Sequence, residues 1–448
     1  MRILVEPSDY VLLNAGDMAM QHACISRLHA AWPDAEIRVF AEKPEDLGRF
    51  CPAATAFPTS GRRAWLSGRF LDNRLVRRLP ARVGSLRSGL EDGIRRRWPG
   101  LATAAMRRKL RRWGASTGDL DSFVEAVAGA DLLVHSGGGG ITDAFPEYAF
   151  DVLDTLGLAI RSGVTTAMVG QGIGPIEDPR LRKRAGEILP KVDFIGLRED
   201  RAGGPLLRSL GVDPGRVMTT GDDAIEMAFG QRPDRLGDGI GVNLRASSYS
   251  EVGRDLVERV GTVLRRAALD LHAPLVPVPI SRVPGEADAQ TIALLLGEMD
   301  DGTGGGAAID SPVGVLGQVR RCRLVVTGSY HAAVFALSMG VPAVGLAKSA
   351  YYVDKFEGLA GQFGAGCAVV SLTDRDSDEK LTAAIGRAWA TAEETRPALL
   401  DAASRQIELG LEAYGRIAEL ATSRRSGRPP RRGPSPRGAA RESPAASG

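Results

Sequence analysis

The stretch that decides the fold is RLVVTGSYHAAVFALSMGVPAVGLAKSAYYVDKFEGL, residues 323–359. The apolar run 324–326 predicts a buried strand that ends at a short turn containing Gly328. An alanine-rich apolar run then predicts a helix ending at Gly340, and the run 341–346 predicts a second buried strand. Strand, turn, helix and strand in this order are typical of a parallel α/β sheet.

His331 lies at the turn, at or just before the start of the predicted helix. Free backbone N–H groups and the helix dipole favour anions at such a position, where ligands of parallel α/β sheets also bind. A histidine there could contact a bound anion and transfer a proton. A capping or packing role explains the same residue equally well.

This central stretch resembles the polysaccharide pyruvyl transferases. The resemblance is carried by TGSYHAAVFALSMGVPAVGL, residues 327–346, and by five residues that follow it: Tyr351, Tyr352, Asp354, Lys355 and Phe356. It implies an α/β, GT-B-like fold of two Rossmann-like domains with parallel sheets and a cleft between them. It also implies phosphoenolpyruvate as donor co-substrate, no further cofactor, and a sugar acceptor in exopolysaccharide or cell-envelope biosynthesis.

Several glycine-containing segments resemble family motifs near the cleft: NAGD at 14–17, the glycine run at 137–140, GQGIGP at 170–175 and GDDA at 221–224. Glycines after a buried strand allow a close approach of backbone to a ligand or another element. Asp17 is predicted to cap a helix, and Gln171 could donate a hydrogen bond to a ligand. The candidate cleft residues are Asn14, Gly16, Asp17, Gly137, Gly138, Gly139, Gln171 and Gly172.

The resemblance implies His331 as general acid/base and a set of donor-binding residues: Arg198, Arg245, Ser329, Tyr330 and Lys355. Arg198 follows a predicted strand, where a guanidinium can hold a carboxylate or phosphate bidentately, although a structural pair with Glu199 is the alternative. Many family members have arginine two residues before the histidine, where this chain has Ser329. Arg245, at another predicted strand end, could supply the missing charge.

Two other functions stay open on the sequence. A nucleotide-sugar glycosyltransferase of the same architecture would need a carboxylate for a ribose, and Glu357 is the candidate. A non-catalytic glycan-binding relative is consistent with Ser329 in place of the family arginine.

The 448 residues, 44% apolar and 25% charged, predict a soluble protein with two domains. We assign residues 1–232 to an N-terminal Rossmann-like domain and 239–420 to a C-terminal one with terminal helices. A basic insertion occupies 59–119, and 423–448 is expected to be a disordered basic tail. Four widely spaced cysteines favour neither a zinc site nor a disulfide scaffold, fit a reducing cytoplasm, and leave no metal expected.

The insertion contains fifteen arginines, and Trp65, Trp98 and Trp113 are interleaved with them. Such a segment is either a surface for an anionic partner or a solvated insertion. No nucleic-acid motif accompanies it, so nucleic acid is not an expected partner. We expect a cytoplasmic protein that acts on a saccharide or lipid-linked glycan, with peripheral contact at the inner face of the membrane through its Arg-rich segments.

Overall fold

The computed structural model describes residues 1–70, 81–245, 252–300 and 302–426, with backbone only for 81–88 and 426. Most of the predicted basic tail lies outside these residues. So do part of the basic insertion and Tyr249, where the sequence predicts the start of a helix.

The first sheet has seven parallel strands in the order β3-β2-β1-β4-β5-β6-β7. The strands are β1 (Arg2–Pro7), β2 (Glu36–Phe40), β3 (Thr55–Phe57), β4 (Leu132–Ile141), β5 (Thr165–Ile173), β6 (Phe194–Leu197) and β7 (Val217–Thr219). This order places a topological switch point between β1 and β4, as in a doubly wound sheet.

The second sheet has five parallel strands in the order β9-β8-β10-β11-β12. The strands are β8 (Gly239–Asn243), β9 (Leu275–Pro277), β10 (Cys322–Thr327), β11 (Ala343–Ala347) and β12 (Cys367–Ser371). Its switch point lies between β8 and β10. The predicted α/β fold with two parallel sheets is confirmed.

Helices cover the first sheet: α1 (Ala15–Ala31), α2 (Pro44–Phe50), α3 (Ser60–Ser67), α4 (Ala81–Arg97), α5 (Pro99–Arg112), α6 (Gly118–Gly129), α7 (Pro146–Arg161), α8 (Pro179–Ile188), α9 (Gly203–Ser209) and α10 (Ala224–Gly230). The second sheet is followed or flanked by α11 (Arg254–Leu271), α12 (Asp288–Leu296), α13 (Pro312–Val319), α14 (Tyr330–Ser338), α15 (Ala350–Phe363), α16 (Ser377–Ala390) and α17 (Ala392–Ser426). Every residue of α14 is buried, which explains why this helix is apolar on all sides. None of the helices described is long and apolar enough to cross a bilayer.

The sequence of residues 376–417 predicts two helices that break near Pro397, and the structure differs. The chain breaks at Thr391, and Pro397 lies inside α17. Pro397 is only the sixth residue of α17, and its lack of an N–H removes a single intrahelical hydrogen bond there. Residues Ala413 and Ile417 pack into the core of the first domain, so α17 joins the second sheet back to the first.

At the glycine run, the apolar residues of the sequence predict a strand that ends at Val134. Strand β4 continues through the glycines to Ile141, with an irregular register against β5 after Gly138. Hydrogen bonding between parallel strands uses only the backbone, so side-chain-free residues can extend the pairing. The extension places the backbone of the glycines beyond the point where the apolar part of the strand ends.

Candidate active site

The carboxyl ends of the two sheets meet at one cavity of about 290 Å³. Ser8 follows β1, Arg198 follows β6, and Ser329 lies two residues after β10. The lining residues are Ser8, Asn14, Asp17, Gly139, Gly140, Phe145, Tyr148, Arg198, Arg245, Ser329, Tyr330, His331, Tyr352 and Lys355. Nine of the fourteen candidate site residues predicted from the sequence are among them.

The domains are joined beside this cavity by backbone hydrogen bonds. Ala15 donates to the carbonyl of Ile280 at 2.9 Å, and Arg282 donates to the carbonyl of Leu13 at 2.8 Å. These bonds place the start of α1 against the second domain. The cavity therefore has one wall from each domain.

His331 lies in the first turn of α14, and its ring packs directly on Gly16 of α1. A Cβ atom at Gly16 would lie 2.0 Å from the ring, so only glycine fits there without a shift. The Nε2 atom of His331 is 3.6 Å from Oδ2 of Asp222, a buried carboxylate of the first domain. Neither atom has a hydrogen-bond partner within the described residues.

Burial by itself disfavours the charge of Asp222. Interactions with His331, with Arg198 and with the backbone N–H of Ala224 outweigh burial and hold the pKa of Asp222 below its usual value. Asp222 is therefore a carboxylate that can orient His331 and stabilise its protonated form.

Arg198 is almost fully buried, with Nη1 3.5 Å from Oδ2 of Asp222 and its guanidinium stacked over the ring of Tyr330 at 4.1 Å. Its Nε atom and the hydroxyl of Tyr330 lack hydrogen-bond partners in the described structure. A Cβ atom at Gly139 would lie 2.8 Å from Nη2 of Arg198. Gly139, in the extended part of β4, thus leaves space for buried Arg198, whose Nε–H has no partner in the described structure.

Arg245 is held by Asp288, with Nε 3.1 Å from Oδ1. Asp288 also accepts hydrogen bonds from the side chain of Asn243 and from the backbone N–H groups of Ile280 and Ser281. This network fixes Arg245 at the end of β8, where it lines the same cavity as Ser329. The placement is consistent with a cation that compensates for serine at position 329.

Lys355 projects from α15, with Nζ 4.0 Å from the ring centre of Tyr351. It makes no ion pair within the described residues. Burial and the neighbouring cations Arg198 and Arg245 lower the pKa of Lys355 well below its usual value. Asp17, which lines the same cavity, has a raised pKa because its carboxyl is buried, despite the opposing effect of His331.

Other predicted residues have structural roles. Asn14, not Asp17, caps α1, because its Oδ1 accepts hydrogen bonds from the N–H groups of Gly16 and Asp17. Gln171 is fully buried and donates to the carbonyls of His135 and Val169, so it does not line the cavity.

The remaining glycines pack behind the cavity wall. A Cβ atom at Gly137 would lie 2.5 Å from Sδ of Met20, and one at Gly138 would lie 2.7 Å from Cβ of Ser8. One at Gly172 would lie 2.7 Å from Nε of Arg198.

The sequence reasoning missed Asp222 as the partner of His331 and the contributions of Ser8, Phe145 and Tyr148. The signal was the acidic pair in GDDA, residues 221–224, which resembles a family motif but does not reveal which carboxylate faces His331. Its two carboxylates have different partners, since Asp223 pairs with Arg27 at 2.8 Å and accepts from Tyr414 at 3.0 Å. Over the described ranges, no three His, Cys, Asp or Glu side chains cluster closely enough to hold a metal ion.

Glu357, the predicted ribose ligand of a glycosyltransferase, pairs with Arg201 of the first domain at 2.5 Å. Arg201 also pairs with Asp354 at 3.2 Å. These residues bridge the domains instead of facing the cavity.

The basic insertion is partly a packed structure. Trp65 is buried and its Nε1 donates to Oγ1 of Thr103 at 3.2 Å, whereas Trp98 and Trp113 are exposed. Among the insertion's arginines whose side chains the structure describes, six make ion pairs: Arg62, Arg63, Arg69, Arg95, Arg96 and Arg107.

Several solved structures share this fold at low sequence identity. A UDP-N-acetylglucosamine 2-epimerase is 12% identical with a TM-score of 0.51, and 96% of this chain and 98% of that one are covered. S. aureus MnaA with UDP is 13% identical with a TM-score of 0.50, at 95% and 96% coverage. Arabidopsis thaliana UGT89C1 with quercetin is 11% identical with a TM-score of 0.50, at 94% and 99% coverage. These likenesses establish the GT-B-like class of fold.

The sequence places the chain more narrowly within this class. The profile of the polysaccharide pyruvyl transferase family matches residues 14–349. The chain therefore belongs to the polysaccharide pyruvyl transferases, a family of transferase enzymes. Among curated proteins, no sequence matches it significantly.

Proposed function

We propose that the protein transfers pyruvate from phosphoenolpyruvate to two hydroxyls of a sugar, forming a ketal on a cell-surface glycan or its precursor. One observation carries the proposal. Arg198, Tyr330 and His331 present buried donors without partners among the described residues, around one cavity. A small, highly charged anion would satisfy these groups.

The donor is matched by charge. Phosphoenolpyruvate carries a carboxylate and a phosphate, and the cavity is lined by Arg198, Arg245 and Lys355. Arg198 is stacked and Arg245 is anchored by Asp288, so neither has to be ordered when the donor binds. These two arginines would hold the two anionic groups, and Lys355 would add a third positive charge.

The proton transfers would be carried out by His331. Protonation of the donor's methylene carbon by His331 generates a cationic centre at C2, which a sugar hydroxyl attacks. The attacking hydroxyl returns its proton to His331, and the bond between C2 and the phosphate oxygen breaks. A second hydroxyl then attacks the cationic C2 to close the cyclic ketal, and its proton leaves with the phosphate. Asp222 would orient the imidazole and stabilise its charged form between these steps.

The acceptor would be a saccharide, free or lipid-linked, used in exopolysaccharide or cell-envelope biosynthesis. The enzyme would act in the cytoplasm, with peripheral contact at the inner face of the membrane.

The test is the thermal stability of the purified protein with phosphoenolpyruvate and, separately, with nucleotide sugars. A ligand at about 100 times its dissociation constant adds roughly 2.7 kcal/mol to the free energy of unfolding. We expect stabilisation by phosphoenolpyruvate, lost in Arg198→Ala and retained in Arg201→Ala, which changes an exposed arginine of the same loop. Stabilisation by a nucleotide sugar instead would favour a glycosyltransferase, and no stabilisation by either would favour a glycan-binding protein.

A further inference from the structure

A second cavity of about 590 Å³ lies between α4, α7 and α8 and shares no lining residue with the site above. Two of its lining cations are neutralised. Arg96 and Arg184 both pair with Asp154, at 3.0 and 2.7 Å. The lining carboxylates Asp92 and Glu187 are likewise committed to ion pairs with arginines.

Five further cations line this cavity, and we call them the basic groove: Arg97, Arg161, Arg180, Lys183 and Lys191. All five are exposed, and none makes an ion pair with a residue that the structure describes. Like charges gathered along one groove repel one another and attract an anionic partner. The groove therefore has a charge surplus that its own carboxylates do not balance.

Apolar side chains border the basic groove on the α4 side. Leu90 is 58% exposed and follows the lining residue Gly89, and Trp98 is 53% exposed and follows Arg97. Leu101, at the start of α5, is 65% exposed. A free phosphate compound would explain the cations but not this exposed apolar border.

We propose that the basic groove and its apolar border dock on an anionic lipid surface. Lipid phosphates would occupy the groove, while Leu90 and Trp98 enter the interfacial layer, where aromatic and aliphatic side chains next to basic ones are favoured. The inference specifies the membrane contact of the proposed function, but it does not depend on pyruvyl transfer.

The position of the groove relates this surface to the first cavity. Phe150 of α7 lines the groove, with Arg96 and Arg180 stacked near its ring, and Tyr148 of the same helix lines the donor cavity. Residues two apart on a helix point in directions about 200° apart, so the groove and the donor cavity lie on opposite sides of α7.

The test is cosedimentation of the full chain with vesicles of phosphatidylcholine containing about a third phosphatidylglycerol, compared with phosphatidylcholine alone. We expect binding to the anionic vesicles only, weakened on the order of a hundredfold in the triple variant Arg180→Glu, Lys183→Glu and Lys191→Glu. The matched control reverses three exposed arginines elsewhere: Arg235→Glu, Arg320→Glu and Arg405→Glu. Trp98→Ala, which leaves all five cations of the groove in place, should also weaken binding to the anionic vesicles.

Equal binding to neutral vesicles, equal losses in groove and control variants, or an unchanged groove variant would each overturn the proposal. The last outcome would assign lipid binding to another basic segment, such as the C-terminal tail. Stabilisation by phosphoenolpyruvate is measured on the same variants and should stay at the wild-type value. The membrane proposal and the donor proposal can thus fail separately.

Discussion

His331 is positioned by groups from both domains, with Gly16 beneath its ring and Asp222 near its Nε2. We expect His331→Gln to reduce ketal formation by about 10²–10⁴-fold, because the variant keeps a polar side chain but cannot transfer a proton. The midpoint of thermal unfolding should change little. Pyruvate incorporation into a glycan acceptor and a melting curve check the two expectations.

Asp222→Asn should reduce the rate of ketal formation less than His331→Gln does. It removes the charge that would orient the imidazole but leaves His331, the group proposed to transfer the proton. A His331→Gln variant with wild-type activity would remove this residue from the mechanism.

Lys355 gives the site a predictable pH dependence. Its pKa is lowered in the free protein, and the negative charge of a bound donor would raise it. Between the two pKa values, binding takes up one proton, so affinity falls as pH rises, by up to about tenfold per pH unit.

Isothermal titration calorimetry in buffers of different ionisation enthalpy measures this uptake. Lys355→Met should abolish it. Undiminished uptake in that variant would point to Asp17, whose pKa is raised by burial.

At the scale of elements, the loops after β8 and β10 differ in which of them supplies a positive charge to the cavity. Arg245 follows β8, and Ser329 follows β10 at the position where the family resemblance leads us to expect arginine. We expect Arg245→Ala to weaken phosphoenolpyruvate binding by roughly 10- to 100-fold, through loss of charge-assisted hydrogen bonds. The double variant Arg245→Ala, Ser329→Arg should recover part of that loss in a direct binding titration.

A double variant no better than Arg245→Ala would show that the two positions are not equivalent. Ser329→Arg alone is the control for crowding, since it adds a guanidinium to a buried position near Arg245.

The elements themselves were largely predictable, because buried parallel strands read as short apolar runs between glycine-containing turns. The central strand, helix and strand are present as predicted, with His331 in the first turn of α14. The pairing of His331 with Asp222 was not predictable, since it joins residues more than 100 positions apart in different domains. Gln171 was misjudged for a related reason, because a sequence pattern does not reveal that a strand continues beyond its apolar run.

At the scale of the whole molecule, α17 ties the domains together. The hydroxyl of Tyr414 donates to buried Asp223, which also pairs with Arg27. We expect Tyr414→Phe to lower the free energy of unfolding by about 1–3 kcal/mol, measured by urea denaturation, because a buried carboxylate loses a donor.

The control on the same helix is Arg424→Ala, which breaks a pair between a half-exposed arginine and Asp193 and should cost less than about 1 kcal/mol. Equal effects of the two substitutions would argue against α17 as a buried tie.

Asp222 and His331, which face each other across the cleft, come from different domains, and this limits how the protein can be recombined with relatives. Asp222 belongs to the half that carries the glycine-rich strand, and His331 to the half that carries the small central helix. A chimera that joins the first half of one relative to the second half of another keeps this pair only under one condition. Both relatives must place the carboxylate and the imidazole at the same depth in the cleft. Acceptor specificity could therefore be exchanged by grafting loops within one half more readily than by swapping whole halves.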